Sequence, residues 1–293
     1  MPGPRDQNGE RSTMSNLTIK KIDWQFDGID FYFNPKQRNF SAFNNMISFM
    51  APGMERYFCK AMKDAEEHIT DPRVLDECKD FNRQEMEHSK AHVKHCKALI
   101  AKYPGLQEAL DASFELYDEH YKAHDLKYHL SYMGGLESAF TPLFGTIINH
   151  RDQLFGGSDP RVSSLFLWHY CEEIEHRSSA ITVYNHVIGD NRYRMRNVKP
   201  MGAHGRMISE TLMEIFSRAV PEWDTPDAHL KWADTLPKWT RRMMGLKILA
   251  SQLPYYPHQA QPLPKYFAEW NRRYEAGEDM RVTYPETPLA TAA

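Results

Sequence analysis

The sequence predicts an all-α chain, a four-helix bundle with additional C-terminal helices, and three observations predict it. No stretch alternates apolar and polar residues as a half-buried strand does. Four helical patterns are each long enough to cross a bundle of roughly 40 Å at a rise of about 1.5 Å per residue. The joints between them are short and carry Asp-Pro starts and Gly or Pro-Gly stops, so sequential neighbours should run antiparallel.

The elements follow in order. Up to about Met14 the chain is rich in Pro, Gly and charge, without the apolar core of a secretory signal, and is expected to be a disordered lead-in with Met14 as an alternative start. An aromatic, partly extended opening (Trp24, Phe26, Phe31, Tyr32, Phe33) comes next. The first helix runs from about Ser41 to His68 and should kink or restart at Pro52-Gly53, with Glu55 in the first turn after it. Asp71 as N-cap and Pro72 at the first helical position open the second, which continues to about Tyr103 before Pro104-Gly105. A third stretch spans Leu106 to Phe155, bent around Gly134-Gly135 and closed by Gly156-Gly157. Asp159-Pro160 open the fourth, which reaches about Ile188 with Gly189 as its C-cap. Met207–Ala219, Leu236–Leu253 and, after a Pro-rich stretch, Tyr266–Ala276 complete the helices, and the tail after Thr283 is expected to be loose. The organisation is thus a lead-in (1–38), a bundle (39–190) and C-terminal helices packing on it (191–293).

With 41% hydrophobic and 26% charged residues and a mean hydropathy of -0.65, the 293-residue chain fits neither the disordered nor the membrane-spanning class. Its 36 basic and 39 acidic residues give a formal charge of -3, no footprint for a phosphate backbone, so nucleic acid is not an expected partner. Cys59, Cys78, Cys96 and Cys171 form no CxxC, which argues against a zinc knuckle or thioredoxin-like motif and suits a reduced cytoplasm. Fourteen histidines, fifteen methionines and 12% aromatic residues suit a metal site within an apolar pocket.

An internal repeat carries the strongest signal. The second helix opens Asp71-Pro72-Arg73-Val74, and eleven residues after Val74 comes Glu85, with His88 three further on. The fourth opens Asp159-Pro160-Arg161-Val162, and eleven residues after Val162 comes Glu173, with His176 three further on. With 14 histidines in 293 positions a lone Glu-x-x-His arises easily by chance, but two copies in one frame do not. Each has an upstream glutamate on the preceding helix, Glu55 and Glu137. Residues three apart share a helix face, so each Glu-x-x-His offers a carboxylate oxygen and an imidazole nitrogen to one centre. Four carboxylates and two imidazoles can hold two metal ions in the middle of a bundle, as in ferritin-like di-iron and di-manganese proteins. Carboxylates bridge and balance the charge of a metal pair, imidazole suits iron or manganese, and the lack of cysteine argues against structural zinc.

Around these six, Glu87, Glu172 and Glu175 read as solvated charged faces. His169, one turn before Glu173, is a seventh candidate ligand, without a counterpart in the first half because the equivalent position is Phe81. His92, one turn after His88, could be an ordinary packed histidine, a partner of a ligand or pocket residue, or a ligand itself. His68, His95, His120, His124, His129, His150 and His186 read as surface or hydrogen-bonded core residues, and Asp80 and Asp152 as salt-bridge partners. Phe58, Phe81, Met133, Phe140, Phe144, Trp168 and Tyr170 read mostly as core, with some lining a substrate cavity for which Gly134-Gly135 could leave room. The Met243–Leu253 stretch, with Tyr255 and Tyr256, should pack on the bundle, with a membrane-surface contact or a homodimer patch as alternatives.

His169-Tyr170-Cys171-Glu172-Glu173-Ile174-Glu175-His176 resembles the His-x-x-x-Glu-x-x-His motif of the p-aminobenzoate N-oxygenase family of ferritin-like di-iron proteins, which implies that His169 ligates one of two irons. The layout over about residues 30 to 270, including Gln84-Glu85-x-x-His88-x-x-x-His92 and the extra C-terminal helices, more closely resembles the bacterial predicted metal-dependent hydrolases of ferritin-like fold. The first resemblance implies a non-haem di-iron oxygenase that uses dioxygen to hydroxylate or N-oxygenate a small or lipophilic organic substrate, with electrons from a separate donor protein. Metal-dependent hydrolysis by a bridging hydroxide, and iron handling or peroxide removal, are the alternatives. Tyr132 and Tyr170 keep open a radical-bearing tyrosine, as in the similar ribonucleotide reductase small subunits.

Overall fold

The computed structural model describes residues 17–284, and the described residues are all-helical, without a strand. The expected disordered lead-in to Met14 and the tail beyond Tyr284 lie outside the described residues. In chain order the α-helices are α1 (Arg38–Ala65), α2 (Pro72–Lys102), α3 (Gln107–Lys122), α4 (Leu126–Asn149), α5 (Arg151–Phe155), α6 (Pro160–Glu175), α7 (Ser179–Val187), α8 (Asn191–Ala219), α9 (Ala228–Lys231), α10 (Lys238–Ser251) and α11 (Lys265–Glu275). None of them is long and apolar enough to cross a membrane.

The repeated helix start is also a repeated cap. Asp71 and Asp159 each accept the backbone N–H two residues on, at 2.9 Å, and each is gripped by the arginine side chain that follows the proline, Arg73 or Arg161. Glu85 and Glu173 therefore lie equally far, about 20 Å, along their helices. α1 and α2 run antiparallel, as the contacts Ser48–Cys96, Cys59–Asn82 and Met62–Cys78 show. α2 and α6 are likewise antiparallel, through His92–His169, His88–Glu172 and Gln84–Glu175, and so are α4 and the α6–α7 pair, through Phe144–Tyr170 and Glu137–His176.

The third stretch is not one bent helix. It stops at Lys122 and restarts at Leu126, where Asp125 accepts the Tyr128 N–H as N-cap. α3 runs parallel to α1 alongside its Met50–Asp64 half, through Met50–Ser113, Tyr57–Tyr117 and Asp64–Tyr121. It acts as a return connection, so α4 is parallel to α2 and the bundle of α1, α2, α4 and α6 runs up, down, down, up. Gly134 and Gly135 lie inside α4, where the lack of a side chain admits neighbours rather than a bend. A Cβ on Gly135 would stand 2.8 Å from the sulfur of Met201 in α8, and one on Gly134 3.5 Å from Ile181. The room expected there for substrate is filled.

α1 passes through Pro52 without a break. Proline removes the N–H that would bond the Ser48 carbonyl, and the thiol of Cys96 on α2 donates to that oxygen instead, at 3.2 Å. The fourth stretch, expected to be continuous, stops at Glu175 and resumes at Ser179. The side chain of Arg177 donates to the Ile174 carbonyl freed by the stop. α8 starts at Asn191, well before the expected Met207, because Asp190 caps it through the Tyr193 N–H and the helix continues through Pro200.

Residues 17–37 lie over the bundle, with Trp24, Phe26, Ile29 and Phe31 buried and Lys20 only 3% exposed. α10 packs on α4, and just past its end the Gln252 amide donates to the Gly135 carbonyl. It turns Trp239, Leu246 and Leu249 outward.

The close approach of α1 and α3 at Gly53 gives a test. A Cβ at Gly53 would sit 2.5 Å from both the carbonyl and hydroxyl oxygens of Ser113, whereas one at Gly205 meets nothing within 4 Å. Gly53→Ala should lower stability by about 1–3 kcal/mol, and Gly205→Ala should raise it by about 0.5–1 kcal/mol. Thermal unfolding with the two changes in the opposite order would contradict the α1–α3 packing.

Candidate metal centre

Equal depth on antiparallel helices brings the two Glu-x-x-His pairs face to face. One ligand-type atom from each of Glu85, His88, Glu173 and His176 lies within 4.8 Å of the others. His88 Nδ1 is 3.4 Å from Glu173 and 3.9 Å from Glu85. His176 Nε2 is 3.4 Å from Glu85 and 3.8 Å from Glu173, while its Nδ1 is 3.4 Å from Glu137 on α4. A second group joins Glu55 of α1, His92 of α2 and His169 of α6 in the same way. His169 Nε2 lies 2.8 Å from Glu173 and 3.7 Å from Glu55. All seven sequence-expected residues thus meet in one interior region, each at most 2% exposed. Glu137 reaches it only beside His176.

The acidic residues next to the motif are not alike. Glu172 was expected on a solvated face, yet it is 1% exposed and lies 2.8 Å from His88 Nε2. Its other oxygen is 3.3 Å from Lys20 Nζ, and Lys20 also pairs with Glu175 at 2.9 Å. Glu175 further accepts from Gln84 and Glu87 pairs with Lys90, the two being similarly half-buried. Sequence reasoning missed the Glu172–Lys20 pair. The repeat frame held one hint, since Gln84 and Glu172 are both polar and both precede the frame's glutamate. Nothing in the sequence points to Lys20, from the segment that precedes the bundle.

A buried file of polar groups leads away from His169. Its Nδ1 is 2.8 Å from His92 Nε2, His92 Nδ1 is 2.8 Å from Ser48 Oγ, and that oxygen is 2.7 Å from His95 Nδ1. His92 is thus built into the site's surroundings, and His95 is a hydrogen-bonded core histidine. His129 meets the Tyr57 hydroxyl, Asp80 pairs with Arg83, and Asp152 takes the Tyr284 hydroxyl. Tyr170 donates to Asn44 and Tyr132 bonds His204. Phe81 and Trp168 set their rings against His176 and His88, with centroids 4.8 and 5.1 Å apart.

Electrostatics here is dominated by uncompensated acidity. Burial, reinforced by the like charges of the other glutamates, pushes the carboxyls of Glu55 and Glu137 far above the usual range and raises that of Glu85. Burial also opposes charge on Glu173, but His176, His169 and His88 outweigh it and hold Glu173 low. For His176 burial is outweighed by Glu173, Glu137 and Glu85, which lift it to about 9. Burial beside His169 and His95 drives His92 well below its ordinary value.

The same region gathers buried polar atoms that have no hydrogen-bond partner. They are both oxygens of Glu55, Glu85 and Glu137, one oxygen of Glu173, Nδ1 of His88 and both ring nitrogens of His176. Buried groups are ordinarily paired, so ten orphans aimed at one another ask for a cation. Four carboxylates balance two divalent ions, and oxygen with imidazole donors and no thiolate suits iron or manganese. The nearby Cys59 points its sulfur to the Asn82 carbonyl instead. The residues present fit a metal pair.

No curated protein and no solved structure matches the chain. A family model does, over residues 18–264, a span that contains every residue of the centre, and by this match the chain belongs to the family of predicted metal-dependent hydrolases.

Proposed function

We propose that the protein is a ferritin-like di-metal enzyme, most simply a di-iron oxygenase, in which Glu55, Glu85, His88, Glu137, Glu173 and His176 hold two ions and His169 binds one of them. The observation that carries this reading is the set of ten orphaned donor atoms enclosed among α1, α2, α4 and α6. The up, down, down, up order with a return connection supports the ferritin-like assignment. Bound there as iron, the pair would supply electrons to dioxygen for the oxidation of a small or lipophilic organic molecule, replenished by a separate donor protein.

The chain's own residues prepare that site. Glu172 accepts the Nε2–H of His88, which leaves Nδ1 bare on the side of Glu85 and Glu173. Lys20 lies against both Glu172 and Glu175 and offsets part of their charge, so the carboxylate that orients the ring is not left unpaired. His169 presents Nε2 to Glu55 and Glu173 when its Nδ1–H donates to His92, which then donates to Ser48, which donates to His95. Phe81 and Trp168 exclude water from the histidine faces.

A second reading, metal-dependent hydrolysis, is favoured by the description of the family. Four buried carboxylates in a water-poor interior suit a metal pair that changes oxidation state better than one that delivers water as co-substrate.

Two experiments follow. Glu172→Gln should weaken metal binding by about 10–100-fold, read by competition with a chelator, and an unchanged affinity would contradict the orienting role. Supplied with reductant and candidate substrates, the iron form should consume dioxygen and place oxygen-18 from labelled gas in an organic product. If the zinc form hydrolyses a test ester as fast as the iron form, and the iron form ignores oxygen, the hydrolase reading replaces the oxygenase.

A further inference from the structure

Among the described residues, five of the eleven exposed large apolar side chains lie close together in the chain. Trp239 (67% exposed), Leu246 (49%), Leu249 (67%), Leu253 (52%) and Tyr255 (94%) fall within seventeen consecutive residues on α10 and the turn after it. On α10 the spacings 239, 246, 249 put three of them on one outward stripe, with Leu253 following in step just past the helix end. α10 packs on α4, and its buried Ser251 and core-packed Met244 lie on the side away from the stripe.

Charge decides what can cover it. α10 carries Lys238, Arg241, Arg242 and Lys247 and no acidic residue. At 100° per residue, Arg242 falls within the stripe and the other three beside it, on both flanks. Arg241 is paired with Asp234, which leaves Lys238, Arg242 and Lys247 without a salt-bridge partner among the described residues. A second copy docked by two-fold symmetry would lay these cations against their own images, which disfavours a homodimer here. The segments outside 17–284 have few large apolar residues, Met1, Met14 and Leu289, too few to cover the stripe. An apolar stripe with Trp at one end, Tyr at the other and cations at its flanks matches the interface of an anionic bilayer, where the ring residues sit at headgroup level and Lys and Arg reach the phosphates.

We propose that α10 and the turn through Tyr255 dock the protein on the surface of an anionic membrane, lying in the plane of the headgroups. This rests on the surface alone and stands whatever the metal centre does.

The test is sedimentation of the full chain, as purified, with vesicles of phosphatidylcholine alone or mixed with phosphatidylglycerol. Binding is expected to the mixed vesicles, to fall in high salt, and to drop roughly tenfold or more in Leu246→Glu/Leu249→Glu. Arg242→Glu/Lys247→Glu should remove the preference for phosphatidylglycerol. These residues are exposed, so the variants should keep the wild-type circular dichroism and melting temperature. Absence of binding to mixed vesicles, or binding that neither double variant alters, overturns the proposal. So does a wild-type dimer in analytical ultracentrifugation that Leu246→Glu/Leu249→Glu converts to monomer, which would give the stripe to a second copy.

Discussion

Four carboxylates brought to one level inside a helical bundle repel one another and have lost their water, and only compensating positive charge makes that arrangement tolerable. The rest of the molecule is organised around this constraint. α2 and α6 begin with the same Asp-capped turn, and because they run antiparallel, equal distances from the two caps converge on the same level. α3 returns the chain alongside α1, so that α4 can descend beside the others and bring Glu137 to His176. Without metal the compensation falls to protons, which is why Glu55, Glu85 and Glu137 hold theirs so tightly while His88 and His176 resist losing theirs. Metal ions bound there would take over the work of those protons.

The surroundings fix orientation as much as charge. His88 and His169 each have one nitrogen turned to the carboxylates and the other held by a buried partner, Glu172 in one case and His92 in the other. His176 differs, since both of its nitrogens face glutamates and the helix ends at it, with Arg177 gathering the freed carbonyl of Ile174. An enclosed donor set of this kind is able to hold metal ions, in keeping with the metal dependence in the description of its family.

Much of this was legible in the sequence because it is local or periodic. Asp-Pro starts with Arg behind them, and a Glu-x-x-His at a constant distance, involve residues close in the chain, and α2 and α6 begin where that signal puts them. The misjudged elements turn on tertiary partners. Pro52 reads as a break until Cys96 supplies the missing bond, and Gly134-Gly135 read as a bend until Met201 and Ile181 fill the space. The stop at Lys122 lacked a proline or glycine, and Asp125 alone marked the restart. Glu172 read as surface because a run of three glutamates among four residues looks solvated. Its true partners, His88 and Lys20, lie 84 and 152 positions away.

The proposed function rests on two metal ions sitting among these side chains. Anomalous scattering from crystals of the iron-loaded protein tests it most directly. The account expects two peaks about 3.5–4 Å apart, with Glu85, Glu173 and His176 between or beside them and His169 on one peak only. Crystals with no peak among the four helices, in which the glutamates remain paired with protonated histidines at full iron load, would contradict it.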